Sequence, residues 1–146
     1  MHPTRVLHFG ASVFAAQTAC LGDQVATVVE SIRSLIPDLS WYVADVQCTG
    51  TSFTDGAPTP VYVGDADAMI RAALQVDQFT SGVFVATPAD FPQPRFRDGG
   101  LWTDDDESAD LGDAVVEMRA FDTTHVSVAT THEELLRWLE KKFLVR

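Results

Sequence analysis

Residues 82–87, GVFVAT, form a short run in which almost every side chain is apolar or small. A strand with one solvated face alternates apolar and polar residues, whereas an uninterrupted apolar run is typical of a strand that is buried on both faces. The run therefore predicts a central strand in a sheet that is covered on both sides or by one thick layer. Other segments of the chain have to supply that cover.

Three segments place apolar residues at three- and four-residue spacing, which predicts amphipathic helices that could cover such a sheet. Each begins with a residue type that commonly caps a helix, and the last one combines Thr with Glu three positions later, as a capping box does. The segments and their expected caps are residues 22–36 with Asp23, residues 64–76 with Asp65, and residues 131–143 with Thr131 and Glu134.

Strands are predicted where β-branched and aromatic residues are frequent or alternate with polar ones. Asp122, Thr123 and Thr124 separate the last two, which indicates a hairpin with a short turn. Alternation places Glu117 and Arg119 on the same side of the first hairpin strand. The predicted strands are residues 5–9, 40–48, 82–87, 114–121 and 125–130, and residues 61–63 could briefly rejoin the sheet.

The order of these segments predicts the fold class. We expect one α+β domain over residues 1–146, since a chain of this length can bury about two-thirds of its unfolded surface. Its sheet is predicted to be mixed or largely antiparallel, with about five strands and two to three helices packed on it, in the order β-α-β-α-β-β-β-α.

A long break separates the central strand from the hairpin. Residues 88–113 contain three Pro, three Gly and seven acids after Arg97, and the acids lower the net charge of the chain from −4 to −11. Loops of this length inside a compact domain are usually functional or poorly ordered. One interpretation is a solvated loop, because charge runs commonly do no more than that. The other is a docking surface.

The docking hypothesis predicts a non-enzymatic protein-binding domain with a basic protein partner. Clustered carboxylates steer the encounter with a basic surface, and a neighbouring aromatic side chain can anchor it. Small acidic inhibitors of cationic enzymes work in this way, so an immunity- or antitoxin-like inhibitor of a toxin is one form of the hypothesis. The predicted partner-binding residues are Trp102, Asp104, Asp105, Asp106, Glu107 and Asp110.

Two alternatives stay open. The first is a small-molecule-binding domain or small enzyme with a cleft near Asp122 and His125, since an imidazole beside a carboxylate can act in acid–base chemistry. Asp45 and aromatic residues of the strands would line that cleft. The second alternative is a structural unit that forms a homodimer through a sheet edge or through the helix that carries Trp138.

Two metal motifs are present only in part. Residues 106–117 repeat the acidic spacing of an EF-hand loop, but Leu111 stands where the sharp turn requires Gly, and a predicted strand contains Glu117. His132 and Glu133 begin a zinc-protease pattern, but Leu136 replaces its second His. We expect neither calcium nor zinc at these positions, no catalytic residues and no cofactor.

The charge and the N-terminal segment limit where the chain acts. A net charge of −11 argues against nucleic acid or an anionic membrane as the main partner. Residues 1–20 resemble a secretory or lipoprotein signal, but His8 and Gly10 interrupt the apolar run, so we expect them to belong to the fold. Cys20 and Cys48 are expected to be buried thiols in a reducing cytoplasm.

Overall fold

The computed structural model describes residues 4–14, 20–50, 53 and 56–144. Parts of the signal-like segment, residues 1–3 and 15–19, lie outside this range, whereas its middle forms the first strand. The elements are β1 (Arg5–Gly10), a 3₁₀ turn (Ala11–Phe14), α1 (Gly22–Leu35), β2 (Leu39–Thr49), β3 (Val61–Gly64), α2 (Ala66–Leu74), β4 (Gln78–Pro88), β5 (Val116–Phe121), β6 (His125–Thr130) and α3 (Glu133–Leu139), which continues as a π-helical turn (Glu140–Leu144).

All six strands form one sheet in the order β1-β6-β5-β4-β2-β3, and each pairing is antiparallel. The predicted α+β class is confirmed. The sheet has one strand more than the five predicted, because residues 61–64 pair with β2 at its edge. The hairpin turn at residues 122–124 is where the sequence placed it, since Phe121 pairs directly with His125.

One face of the sheet carries the main apolar core. The helices α1, α2 and α3 lie on this face and bury its largest side chains completely, among them Trp41, Phe84 and Met118. Trp138 of α3 is half-buried against α1, where its indole Nε1 donates a hydrogen bond to the Ser31 carbonyl at 2.8 Å. Apolar burial on this face is the largest favourable contribution to folding that the chain offers.

The other face of the sheet has no helix among the described residues. The segment between β4 and β5, residues 89–115, crosses it and is hereafter called the acidic loop. β4 is therefore buried on both faces, as its apolar run predicted: Phe84 and Ala86 contact the helices, while Val83 and Val85 contact the loop. A long loop without helix or strand supplies the second layer.

The helix starts differ in part from the predictions. Asp65 caps α2 as predicted, since its Oδ1 accepts from the Ala68 amide at 2.9 Å. α1 starts without a cap by Asp23, and the Gln24 side chain instead accepts from the Leu21 amide at 2.9 Å.

The start of α3 also lies one residue later than expected. The Thr130 hydroxyl accepts from the His132 amide at 3.0 Å, which keeps the chain extended through Thr131. His132 becomes the cap, and its Nδ1 accepts from the Leu135 amide at 3.1 Å. The predicted Thr131 cap was therefore wrong.

Candidate functional site

The acidic loop is seated on the sheet by apolar side chains. Leu101, Leu111 and Ala114 of the loop are buried against Ala44, Val83, Val85 and Ala129 of the strands, and Phe96 packs at the edge of this cluster. Backbone hydrogen bonds join the loop to its surroundings in its middle and at its C-terminal end: the Leu101 amide donates to the Pro58 carbonyl at 2.8 Å and the Val115 amide to the Ala86 carbonyl at 2.8 Å. These contacts give the loop a defined path across the sheet.

Beneath the loop lies an ion network centred on Glu117. This side chain is 1 % exposed, and its two oxygens accept from Arg97 Nη1 at 2.6 Å and from Arg119 Nε at 2.7 Å. Arg97 also donates from Nη2 to Asp105 Oδ2 at 2.8 Å. A buried carboxylate is tolerated only when it is paired and hydrogen-bonded, and two guanidinium groups meet both conditions here.

Arg119 connects this network to the loop backbone. Its guanidinium donates to the carbonyl oxygens of Thr103, Asp105 and Asp106, with 3.2 Å between Nη2 and the Asp106 oxygen. Removing the loop would expose these donors, and moving the loop would leave them without partners. The strand residue therefore determines where the loop backbone runs.

The network also determines the protonation of Asp105. Burial would raise the pKa of this carboxyl, but hydrogen bonds from Arg97 and from the Trp102 amide outweigh burial and hold the pKa below its usual range. Desolvation would lower the pKa of Arg97, yet Glu117 and Asp105 together raise it above the ordinary value. Both groups are consequently charged at neutral pH.

Other acids of the loop stabilise its turns. Asp106 Oδ1 accepts from the Ser108 amide at 2.8 Å, and Asp110 Oδ1 accepts from the Gly112 amide at 2.9 Å. The Ser108 hydroxyl and amide lower the pKa of Asp106, and the Gly112 amide lowers the pKa of Asp110. Gly112 has φ +60°, the left-handed conformation that glycine adopts without strain. The acids thus act as local turn-forming groups as well as surface charges.

The six predicted partner-binding residues therefore differ in their surroundings. Trp102 is 41 % exposed, with Nε1 donating to the Gly99 carbonyl at 3.0 Å, and Asp104 is exposed without a hydrogen-bond partner among the described residues. Asp105 is held by Arg97, whereas Asp106, Glu107 and Asp110 are exposed and contact Ser108, His8 and Arg95 respectively. That these six residues contact a partner stays a prediction.

The EF-hand-like spacing has a structural explanation. Asp106 and Asp110 form separate turns of the loop, while Glu117 lies on β5 between two arginines. In the part of the chain that the structure describes, no group of three or more His, Cys, Asp or Glu side chains is arranged to hold a metal ion.

A cleft of about 350 Å³ opens at the end of the sheet where the acidic loop meets the hairpin turn. Trp102, Thr103 and Asp104 of the loop form one wall, and β2, β4 and the hairpin turn form the remainder. The other lining residues are Asp45, Gln47, Thr80, Ser81, Phe121 and Asp122. This volume lies at the small end of the range of natural ligand pockets, which suits one side chain or one small molecule.

Asp45 links the two sides of the cleft. It lies at an irregularity where β2 departs from its regular pairing with β4, and it has φ +52°. Its Oδ2 accepts from the Thr103 amide at 2.9 Å, which ties the loop to the strand. A non-glycine residue in this conformation carries backbone strain, so the surrounding contacts have to hold it there.

The polar groups of the cleft are largely unused. No hydrogen bond or ion pair engages the carboxylates of Asp104 and Asp122 within the described residues. Thr103 is 8 % exposed, and its buried hydroxyl Oγ1 likewise has no partner there. Buried polar groups normally have a partner, so a wall with an unsatisfied hydroxyl and two free carboxylates has bonding capacity for a ligand.

His125 does not line the cleft, but it contacts Phe121, which does. Its ring stacks on Phe121 at 4.5 Å, and it lies 5.3 Å from the ring of His8, whose Nε2 is 2.9 Å from Glu107. Burial, together with His8, lowers the pKa of His125. Asp122 lines the cleft and His125 does not, so the two are not brought together there as an acid–base pair.

Sequence reasoning identified Trp102, Asp104, Asp45 and Asp122 but assigned them to two competing sites. The structure brings all four together in one cleft. The sequence did not indicate that Gln47, Thr80 and Thr103 line the same cleft. These residues become neighbours only through the irregular pairing of β2 and the path of the loop. The one available signal was the Glu117–Arg119 pair in an otherwise apolar strand, since charges on a buried strand require partners.

Comparisons with known proteins identify no relative: no family model matches the chain, and neither the curated proteins nor the solved structures contain a significant match. None of the helices that the described residues form has the length and apolar character needed to cross a membrane.

Proposed function

We propose that this protein is a non-enzymatic binding domain that docks a basic protein partner on the outer side of its acidic loop. The observation that carries the proposal is the fixed loop: buried arginines hold it on the sheet, while Trp102 and Asp104 face outward beside a cleft. A surface that is ordered before binding loses less conformational entropy when a partner arrives.

Charge supports a basic partner. The loop concentrates seven acids between residues 98 and 113 within a chain of net charge −11. Arg97 and Arg119 neutralise Glu117 and Asp105 internally, so the unbalanced charge lies on the outer acids. Such a field accelerates encounter with a positively charged surface and excludes negatively charged ones.

An immunity- or antitoxin-like inhibitor that covers the basic active site of a toxin is the form of this function that fits these properties. It rests on size, acidity and α+β make-up rather than on a relative. We place the protein in the cytoplasm, where Cys20 and Cys48, both thiols in the structure, would stay reduced.

The test uses a fluorescent ten-residue peptide of alternating Arg and Gly, with binding measured by anisotropy at low and high salt. The wild type is compared with an Asp98→Asn/Asp104→Asn variant, which loses two exposed loop charges. Its matched control is Asp23→Asn/Asp38→Asn, which loses two exposed charges outside the acidic loop, one in the first turn of α1 and one directly before β2.

We expect the loop variant to bind the peptide about tenfold more weakly than the control variant at low salt, with the difference shrinking as salt screens it. Equal weakening by the two variants would mean that the peptide responds to net charge alone, and the proposal would then be wrong. A pull-down from the source cell at low and high salt, with both variants, would then identify the natural partner.

A second function is favoured by one observation, the cleft itself. Asp45 and Asp122 line it, as the small-molecule alternative required, whereas His125 does not. A small-molecule-binding domain would therefore use carboxylates, hydroxyls and the Trp102 ring for recognition. Screening small cations and neutral metabolites by thermal shift tests it, because a ligand that binds the folded state raises the melting temperature.

The homodimer alternative has less support. Trp138 is already packed against α1, and the two edge strands are short, with six residues in β1 and four in β3. Val61 and Tyr62 of β3 are 47 % and 60 % exposed. A monomer by analytical ultracentrifugation at high protein concentration would exclude this alternative.

A further inference from the structure

We infer that the cleft beside Trp102 is a receptor for a single arginine side chain of the basic partner. This inference rests on the proposed function and specifies which chemical group that site binds. The cleft walls combine three features: exposed carboxylates, an aromatic face and a buried hydroxyl without a partner.

The carboxylates suit an extended cation rather than a point charge. Asp104 projects from the loop and Asp122 from the hairpin turn, so the two acids approach the cleft from different elements. No metal-binding arrangement of acidic side chains exists among the described residues, Asp45 included. A guanidinium presents five N–H donors in a planar fork and can reach several separated acceptors at once.

The Trp102 ring adds a surface for stacking. Its Nε1 edge is already occupied by the Gly99 carbonyl, which fixes the orientation of the indole, and the side chain stays 41 % exposed. Guanidinium groups stack on aromatic faces and gain a cation–π attraction from tryptophan in particular. An ammonium group shares the charge but not the planar stacking.

Ser81 supplies a further acceptor in the cleft. Ser81 already donates its hydroxyl hydrogen to the Asp45 carbonyl at 3.1 Å, so its oxygen can only accept from a ligand. The Thr103 hydroxyl is buried without a partner, and the Thr103 amide is held by Asp45. The Ser81 oxygen complements the donor-only character of a guanidinium, since arginine has no hydrogen-bond acceptor.

The size of the cleft agrees with one side chain. About 350 Å³ is too little for a helix or a strand of a partner but sufficient for one long side chain. A single buried arginine in a fitted pocket is a common anchor of protein interfaces. The exposed acids of the loop would then attract the partner, and the arginine in the cleft would determine the position in which the partner binds.

The test is an NMR titration of the full chain with three blocked tripeptides, acetyl-Gly-X-Gly-amide, where X is arginine, lysine or citrulline. Citrulline has nearly the shape of arginine but no charge, so it separates charge from shape. The readouts are the amide signals of Ser81, Thr103 and Asp122. The variants are Asp122→Asn and Asp104→Asn, with Asp38→Asn as the charge-matched control outside the cleft.

We expect saturable shifts of these amides with the arginine peptide and binding about tenfold weaker for the citrulline peptide, with lysine between them. Asp122→Asn and Asp104→Asn are each expected to weaken arginine binding several-fold, whereas Asp38→Asn leaves it unchanged. Equal shifts with arginine and citrulline, or shifts scattered over acids elsewhere on the surface, would overturn the inference.

The result also separates this inference from the proposed function. If the ten-residue basic peptide binds the loop but the cleft amides do not shift, the arginine receptor is wrong and the docking function stands. If neither the long peptide nor the tripeptide binds, both are wrong. Heteronuclear spectra of each variant establish that its fold is retained before any loss of binding is interpreted.

Discussion

The two faces of the sheet are covered by very different layers. Helices cover one face and bury large apolar side chains, whereas the acidic loop covers the other with a smaller apolar cluster and an ion network. Met118 and Glu117 are neighbours on β5, yet one is in the helical core and the other lies between two arginines.

The two layers contribute differently: one determines the stability of the fold, and the other determines the conformation of the loop. Apolar packing is non-directional and accounts for most of the folding free energy, so the helical face sets how stable the fold is. Charged hydrogen bonds are directional, and a buried ion pair adds little net stability compared with an apolar substitute. The Glu117 network therefore serves to hold one loop conformation, and with it the surface that carries Trp102.

The largest effect is expected from Glu117→Ala. The change leaves Arg97 and Arg119 buried without their shared counter-charge, which costs about 3–5 kcal/mol of unfolding free energy. Urea denaturation measures the loss. Because the loop loses its attachment, trypsin is also expected to cleave after Arg97 faster than in the wild type.

Met118→Ala is the matched change on the helical face. The cavity it leaves costs about 2–5 kcal/mol, a loss of similar size. The loop contacts are untouched, so native-state cleavage after Arg97 should remain slow under conditions where the variant is folded. Equal acceleration of cleavage in both variants would contradict the claim that the Glu117 network, and not the helical core, holds the loop in place.

A smaller effect is expected from Gly112→Ala. A side chain at φ +60° is strained by about 1–2 kcal/mol, and the new Cβ would lie 2.4 Å from the Arg95 carbonyl oxygen, so the loop has to shift. Gly99→Ala is the control, since its φ is also positive but its Cβ meets no atom within 4 Å. Thermal unfolding should show Gly112→Ala as the more destabilised of the two.

The loop face should also respond to acid. The pKa of Asp105 is depressed in the folded state, so its contribution to stability is complete above the unfolded value of about 3.9 and is lost as the pH falls through the lower, folded value. Chemical denaturation from pH 6 down to about pH 2 measures this. An Asp105→Asn variant should lose less stability over that range than the wild type. An identical pH profile of the two proteins would show that the Asp105 carboxylate does not contribute to the pH dependence.

The smallest effect on stability is expected from Asp104→Asn. This carboxylate is exposed and has no partner among the described residues, so the free energy of unfolding should change by less than about 0.5 kcal/mol. Binding of the basic peptide should nevertheless weaken. A loss of stability comparable with that of Gly112→Ala would show that Asp104 supports the loop rather than a ligand.

Much of the fold followed from local patterns. The apolar run of β4, the alternation of β5 and the turn at residues 122–124 predicted the centre of the sheet and its hairpin. β3 was only suggested, because four residues give too short a pattern to establish a strand. The His132 cap was missed because Thr130 forms a local turn with the His132 amide, and such Ser/Thr turns compete with the helix start that a capping box predicts.

The site was harder to predict because its residues meet through long-range contacts. Trp102 and the acids stood out by composition. Which acids are held inside the network and which are exposed depends on the contacts of Arg97 with Asp105 and Glu117. Asp45 and Thr103 are 58 positions apart and meet only through an irregular strand pairing. Such contacts leave no periodic signal in the sequence.

The central claim is that the acidic loop is a folded layer before any partner binds. Amide hydrogen exchange of the free protein tests it at Leu101, Thr103 and Asp113, whose amides donate to Pro58, Asp45 and Arg95. We predict that these three amides exchange far more slowly than unstructured peptides, while the Asp104 amide, which has no acceptor among the described residues, exchanges fast. Exchange of all four at the unprotected rate would contradict the claim, since the loop would then be a solvated chain.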